Sequence, residues 1–165
     1  MSKTVSIMKK NDQYVAGIFT DLGLFSTSLP HKSKKDAIVH INGEKLDIIN
    51  TPDRLEILDL VFRIESGNED VSVSGIKLDF SGLTDKQKRV YTALLEVPRG
   101  ETITYGELAE LAGISHAARF VGTCMANNRL GPIVPCHRVV ASSNLGGYGP
   151  GLEKKEELLK KEGAI

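Results

Sequence analysis

The stretch 132–140, Pro-Ile-Val-Pro-Cys-His-Arg-Val-Val, sets Cys136 and His137 side by side between prolines and apolar residues. A thiol next to an imidazole is a nucleophile next to a base. Free cysteine has a pKa of about 8.5, so near neutrality it reacts as thiolate only with a neighbouring base or positive field. His137 can act as that base, directly or through a water, if a carboxylate orients its other ring nitrogen. Pro135 on one side and His137-Arg138 on the other do not make a regular core element. Cys136 is therefore the nucleophile candidate. The second cysteine, Cys124, falls at helical spacing with Ala117, Phe120 and Val121 and reads as a buried, inert thiol.

Other chemistries find less support. The four His and two Cys are scattered without a CxxC or HxxxH pair, and a haem-attachment CxxCH would need Cys where Ile133 stands. No metal and no cofactor is expected. A second candidate surface lies on the segment after Ser115. Opposite its Phe120, Val121 and Cys124 stripe, helical arithmetic places Arg119, Gly122, Thr123 and Ala126. One long cation among very small residues permits close approach to something bulky, such as a nucleic-acid groove. Lys plus Arg equals Asp plus Glu at 21 each. Any nucleic-acid reading must rest on this motif and not on net charge.

Local signals indicate the elements that position these residues. In the N-terminal half, "YVAGIFT", "GLFSTSL" and "VSVSGIKLDF" read as strands, with "TDLG" as a hairpin turn between the first two. Thr51 caps and Pro52 begins a helix whose Leu55, Leu58 and Phe62 share a face, ended by Gly67. The segment 33–49 reads as a short helix capped by Ser33, with a hairpin around Asn42-Gly43 as the alternative. Texture changes to helical near residue 81. Thr84 and Gln87 form a capping box for a helix carrying Val90, Tyr91, Leu94 and Leu95, stopped by Pro98-Arg99-Gly100. Thr104 and Glu107 form another for "YGELAELA", which stops at Gly113, and Ser115 caps the third helix, "HAARFVGTCMAN". Two short helices joined by a Gly-containing turn have the form of a helix-turn-helix. "GLEKKEELLKKEG" is a last amphipathic helix, and the Cys-His pair sits in the irregular loop 128–150 before it.

The 165 residues suffice for one ordinary domain or two small ones, and 41% hydrophobic with 25% charged residues is a globular composition. No tract approaches membrane-spanning length and the N-terminus lacks an apolar signal core, so a cytoplasmic protein without a membrane partner is expected. In that compartment a Cys124–Cys136 disulfide is not expected.

Taken together, "PIVPCHRVV", the Tyr105 and Arg119 segment and the tail "GGYGPGLEKKEELLKKEG" closely resemble the O6-alkylguanine-DNA alkyltransferases, the methylated-DNA–protein-cysteine methyltransferases. The likeness runs without a break in order over about residues 80–163, with a looser match at "GIFTDLGLFSTSLP". It implies a mixed α/β (α+β) fold. A small N-terminal β-sheet-plus-helix domain of ribonuclease-H-like form, residues 1–81, would pack on a mostly helical domain, residues 82–165, holding the helix-turn-helix and the acceptor.

The resemblance also implies roles. Cys136 would accept an alkyl group from O6 of guanine, with O4 of thymine as a further target class. His137 would draw the thiol proton through a water, Glu162 would orient His137, and Asn128 would be the hinge between recognition helix and active-site loop. Tyr105 would push out and hold the target nucleotide, and Arg119 would fill the gap in the base stack. Ser115, Ala118, Gly122 and Thr123 would complete the surface entering the minor groove. Tyr105, Pro135, Val139, Tyr148 and Gly149 would line the guanine pocket, with backbone groups of Cys136, Val139 and Gly149 reading the base edge. By themselves, Tyr105 reads as an ordinary first-turn packing residue and Glu162 as a surface acid; the resemblance reverses both readings.

The implied partner is double-stranded DNA containing O6-alkylguanine, met by a monomer, in the cytoplasm at the nucleoid or in the nucleus of a eukaryote. The thioether product has no ordinary route of hydrolysis, so each molecule would act once. Several positions depart from the family pattern. Phe120 stands where relatives often have a small residue, and Gly149 where some have Ser. Gly131 and the short loop "ASSNLGGY" bear on which bulky alkyl groups fit, and the zinc of some relatives' N-terminal domains finds no ligand set. Two rival readings make different demands. A lesion-binding relative without catalysis would lack the acceptor cysteine, and a helix-turn-helix regulator would carry longer polar side chains on its recognition helix. His31, His40 and His116 receive no role.

Overall fold

The computed structural model describes residues 2–165. The chain is mixed α/β and divides into two compact units, each discontinuous in sequence. Residues up to 66, 71–81 and 129–133 form the first, and residues 67–70, 82–128 and 134–165 form the second.

The first unit is built on an antiparallel meander of β1 (Thr4–Lys10), β2 (Gln13–Thr20) and β3 (Gly23–Thr27). Asn11 and Asp12 turn the first hairpin with φ of 51° and 61°, the left-handed pair that matches the twist of the flanking strands. Sequence texture left β1 unassigned. Its register against β2, with Val5 opposite Ile18, supplies the pairing that local composition does not advertise. The second hairpin turns at the expected place, and a bulge lies at Ile18/Phe19. At Gly23, φ of 130° combines with a Lys77 carbonyl only 2.1 Å from where a Cβ would stand, so only glycine fits.

The segment 71–80 is not a strand, contrary to its alternating pattern. It touches the sheet through a single bridge, Leu24 to Leu78, with Leu24 N–H donating to Lys77 O and Asp79 N–H to Leu24 O. Gly75, at φ of 85°, turns the chain before a longer ladder can form. The ambiguous segment after Ser33 resolves as helix α1 (Lys34–His40), with Ser33 Oγ accepting from Asp36 N–H. Helix α2 (Pro52–Ser66) follows its Thr51 cap and buries Leu58, Val61, Phe62 and Ile64, while Leu55 is half-buried. Gly17 on β2 lets α2 come close, since a Cβ there would lie 2.8 Å from Leu58 Cδ2.

Arg129 explains why residues 129–133 belong to this unit. Its guanidinium donates to the carbonyls of Phe25, Asp79 and Ser81, and Arg129 O accepts from Thr27 N–H.

The second unit begins with α3 (Asp85–Leu94). Both halves of its capping box form, Gln87 N–H to Thr84 Oγ1 and Thr84 N–H to Gln87 Oε1. Val90, Tyr91 and Leu94 are buried, and Tyr91 Oη donates to Cys124 O at 2.6 Å. Helix α4 (Tyr105–Leu111) starts at Thr104, whose Oγ1 accepts from Glu107 N–H. Helix α5 (Ala118–Ala126) buries Val121 and Cys124, as periodicity requires. Ser115 does not cap it. His116 adopts φ of 58°, the chain enters α5 only at Ala117, and Ser115 Oγ instead donates to Glu110 Oε2. The two-residue strands β4 (Ile103–Thr104) and β5 (Val139–Val140) pair in parallel, and α6 (Leu152–Lys161) ends the chain's regular structure. No helix among the described residues is long and apolar enough to cross a membrane.

Candidate active site

Proline begins the site. Pro135, at φ of −81° and ψ of 70°, is the centre of an inverse γ-turn closed by Cys136 N–H on Val134 O. Cys136–Arg138 then form a single 3-10 turn, which leads directly into β5. Val134 O also accepts from Asn128 Nδ2 at 2.8 Å. Both lone pairs of that carbonyl are thereby used, and the end of α5 is tied to the cysteine turn.

His137 is fully buried, and its Nε2 lies 3.0 Å from Glu162 Oε2. Glu162, the residue that closes α6, is also buried, so its reading as a surface acid is corrected. Arg138 grips the same carboxylate with a fork, Nε to Oε1 at 3.1 Å and Nη2 to Oε2 at 2.9 Å, and donates through Nη1 to Val97 O. Burial alone would raise the Glu162 pKa. Hydrogen bonds from His137 and Arg138, and the charges behind them, outweigh burial and hold it at about 2. An ionised carboxylate only accepts, so Nε2 carries the hydrogen in this pair. In the neutral ring Nδ1 is then the acceptor. That Nδ1 is buried and has no hydrogen-bond partner in the protein.

Tyr105, half-buried at the first position of α4, accepts through Oη from Gly147 N–H at 3.2 Å. Gly146 packs on its ring at φ of 72°, and a Cβ there would sit 2.6 Å from the phenol oxygen. Pro135 and Val139 are buried, Tyr148 is half-buried and Gly149 is exposed. Two of the backbone donors assigned to base recognition are already engaged. Cys136 N–H bonds Val134 O, and Val139 N–H bonds Cys136 O. Val139 O accepts from Lys155 Nζ at 2.6 Å.

The remaining sequence candidates share no hydrogen bond with this cluster among the described residues. On α5, Ala118, Arg119 and Thr123 are exposed and Gly122 half-exposed, while Phe120 is turned partly inward. Ser115 is exposed in the turn before them. No group of three or more His, Cys, Asp or Glu placed to hold a metal occurs among the described residues. Sequence reasoning missed two members of the cluster, Arg138 and Lys155. Lys155 is fully buried on α6, and its signal was available: Lys155, Leu158, Leu159 and Glu162 fall at i, i+3, i+4 and i+7, one face of the helix.

Comparison with known proteins decides what this cluster belongs to. Residues 85–164 match the family described as 6-O-methylguanine DNA methyltransferase, DNA binding domain. The methylated-DNA–protein-cysteine methyltransferase of Candida albicans is 37% identical over 139 residues, covering 83% of this chain and 72% of that protein. The chain belongs to the methylated-DNA–protein-cysteine methyltransferase family. The enzyme of that name from Mycobacterium tuberculosis is 50% identical over 88 residues, and there the match spans only about half, 53%, of the relative's length. The fold extends further than that segment. The crystal structure of M. tuberculosis OGT in complex with DNA superposes with a TM-score of 0.73 at 30% identity, covering 98% of this chain and 93% of that one. The O6-methylguanine-DNA methyltransferase of Pyrococcus kodakaraensis gives 0.69 at 28% identity over 97% and 99%.

Proposed function

We propose that this family member repairs DNA by direct reversal, moving the alkyl group of O6-alkylguanine onto Cys136 in a single, irreversible turnover. The observation that carries the reading is His137. It follows Cys136 directly, is fully buried, and is held by an ionised Glu162 at one nitrogen while the other has no protein partner. A water between His137 Nδ1 and the Cys136 sulfur, hydrogen-bonded to both, would relay the thiol proton to the ring. The thiolate then attacks the alkyl carbon. A carbon–sulfur bond forms, the bond to O6 breaks, and its electron pair returns to the base, which takes back a proton from the imidazolium. The products are unmodified guanine and a thioether.

An O6-alkyl group stacked inside a duplex cannot be reached in line, so the nucleotide must be extruded at a cost of a few kcal/mol. Arg119 supports that step. Its side chain makes no hydrogen bond or ion pair among the described residues and stands on the small-residue face of α5. It is free to enter the space the base leaves, with Ser115, Ala118, Gly122 and Thr123 letting the backbone approach the minor groove. Tyr105, Pro135, Val139, Tyr148 and Gly149 form the guanine pocket, and residues 82–165 are the DNA-binding and acceptor domain. Duplex DNA as substrate places the protein at the nucleoid, or in the nucleus of a eukaryote.

The test is mass analysis after incubation with an O6-methylguanine duplex. One methyl increment is expected on the Cys136 peptide and none in Cys136→Ser. No increment on the unaltered protein rejects the reading and leaves lesion binding without transfer.

A further inference from the structure

Lys155 is the one fully buried lysine among the described residues. Its ammonium donates to Val139 O at 2.6 Å and to Gly147 O at 2.9 Å. These carbonyls belong to different segments: β5, directly after the cysteine turn, and the loop that precedes α6. Gly147 in turn donates its N–H to Tyr105 Oη, and Tyr105 stands two residues after Ile103, the partner of Val139 in the β4/β5 pair. The contacts close a ring: Val139, Ile103, Tyr105, Gly147, Lys155 and back to Val139. A lysine buried at the expense of hydration, with two donors committed to backbone, is an expensive way to join two loops. An apolar residue would donate to neither carbonyl and would leave the ring open.

We propose that Lys155 is a positioning residue that sets the gap between Val139 and the Gly146–Gly147 turn and so fixes where the Tyr105 phenol stands. The inference rests on the alkyltransferase reading, in which these groups flank the extruded base. Burial lowers the Lys155 pKa to about 8, and attraction to Cys136 works against that shift. A neutral amine keeps two N–H bonds, enough for both carbonyls, so the tether does not depend on the charge.

Lys155→Met in the full chain tests this, with single-turnover transfer from an O6-methylguanine duplex and separate labelling of Cys136 by iodoacetamide. A misplacement of about 1 Å at a reacting centre costs on the order of 100-fold, so the maximal transfer rate is expected to fall about that much. The half-saturating DNA concentration should change less than about threefold, because the α5 face is untouched. Iodoacetamide labelling, which needs no guanine pocket, should fall less than about fivefold. Amide exchange at Gly147 should quicken. If the methionine variant melts below the assay temperature, Lys155→Gln replaces it; its shorter amide can hold one carbonyl, with about a tenfold loss expected.

Transfer within about threefold of the unaltered protein overturns the proposal. So does a loss of labelling that parallels the loss of transfer, which would make Lys155 an activator of the thiol. Should the unaltered protein transfer no methyl, the alkyltransferase reading fails. Exchange at Gly147 then still decides the tether, and unchanged exchange in the variant rejects it.

Discussion

Glu162→Gln is the most informative single change, because one carboxylate serves both stability and chemistry. The side chain accepts three hydrogen bonds, one from His137 and two from Arg138, in a buried site. Glutamine keeps the shape, removes the charge and turns one acceptor into a donor. That donor must face an Arg138 or His137 N–H, so at least one buried pair becomes donor against donor. A pKa held at about 2, against 4.5 for the free side chain, corresponds to about 3 kcal/mol of stability at pH 7. The sign follows from the depressed value. The contribution is full above the unfolded pKa and is lost as pH falls from there through the folded one. At pH 3 a little over half of it is gone.

Chemical denaturation of both proteins at pH 7, 5, 4 and 3 measures this. The expected gap is about 3 kcal/mol at pH 7, nearly as large at pH 5, and closing steadily below. Transfer should also slow by roughly 100- to 10,000-fold, the range for losing an oriented general base. A gap under about 1 kcal/mol at pH 7, or one that does not narrow by pH 3, would refute the reasoning, since Glu162 would then not be the ionised anchor.

Other perturbations separate the parts of the site. Arg119→Ala should leave the melting temperature unchanged, weaken duplex binding and slow transfer from DNA, while reaction with free O6-methylguanine base stays nearly intact; equal losses on both substrates would count against the finger role. Asn128→Ala removes the amide bond to Val134 O and should cost about 1 kcal/mol in denaturation. Because the same bond holds the cysteine turn to α5, transfer should slow more than iodoacetamide labelling does. Cys124→Ala deletes a sulfur from a buried site and should destabilise by about 1 kcal/mol, with the methyl increment still found on Cys136. Gly146→Ala forces a side chain onto the Tyr105 ring at a left-handed backbone position, so amide exchange across 144–148 should quicken and transfer fall.

What was legible in the sequence was local. Ser33, Thr51, Thr84 and Thr104 each cap the helix that follows them, because a cap depends on neighbours two or three residues away. The misreadings share the opposite cause. Strand β1 exists through its pairing with β2, and residues 71–80 lack a continuous partner, neither of which is written in their own alternation. Ser115 has the right side chain for a cap, but the left-handed His116 places it outside the helix.

The candidate site divides along the same line. Cys136 and His137 declare themselves by adjacency, whereas Glu162 lies 25 residues from His137 and looks like one charge among many in "EKKEELLKKE". Yet helix geometry contains the missing inference. Leu158 and Leu159 mark the buried face of α6, and the same face carries Lys155 one turn before them and Glu162 one turn after. A charge on a buried stripe must meet a partner or unfold the helix. Hydrogen-bond donors are then required opposite Glu162, and Arg138 and His137, next to the half-buried Cys136, supply them. Among the described residues Lys155 pairs with no carboxylate, and backbone carbonyls satisfy it instead. Side-chain motifs do not record that solution, so a lysine that joins two loops of the site reads, in one dimension, as part of a solvated helix.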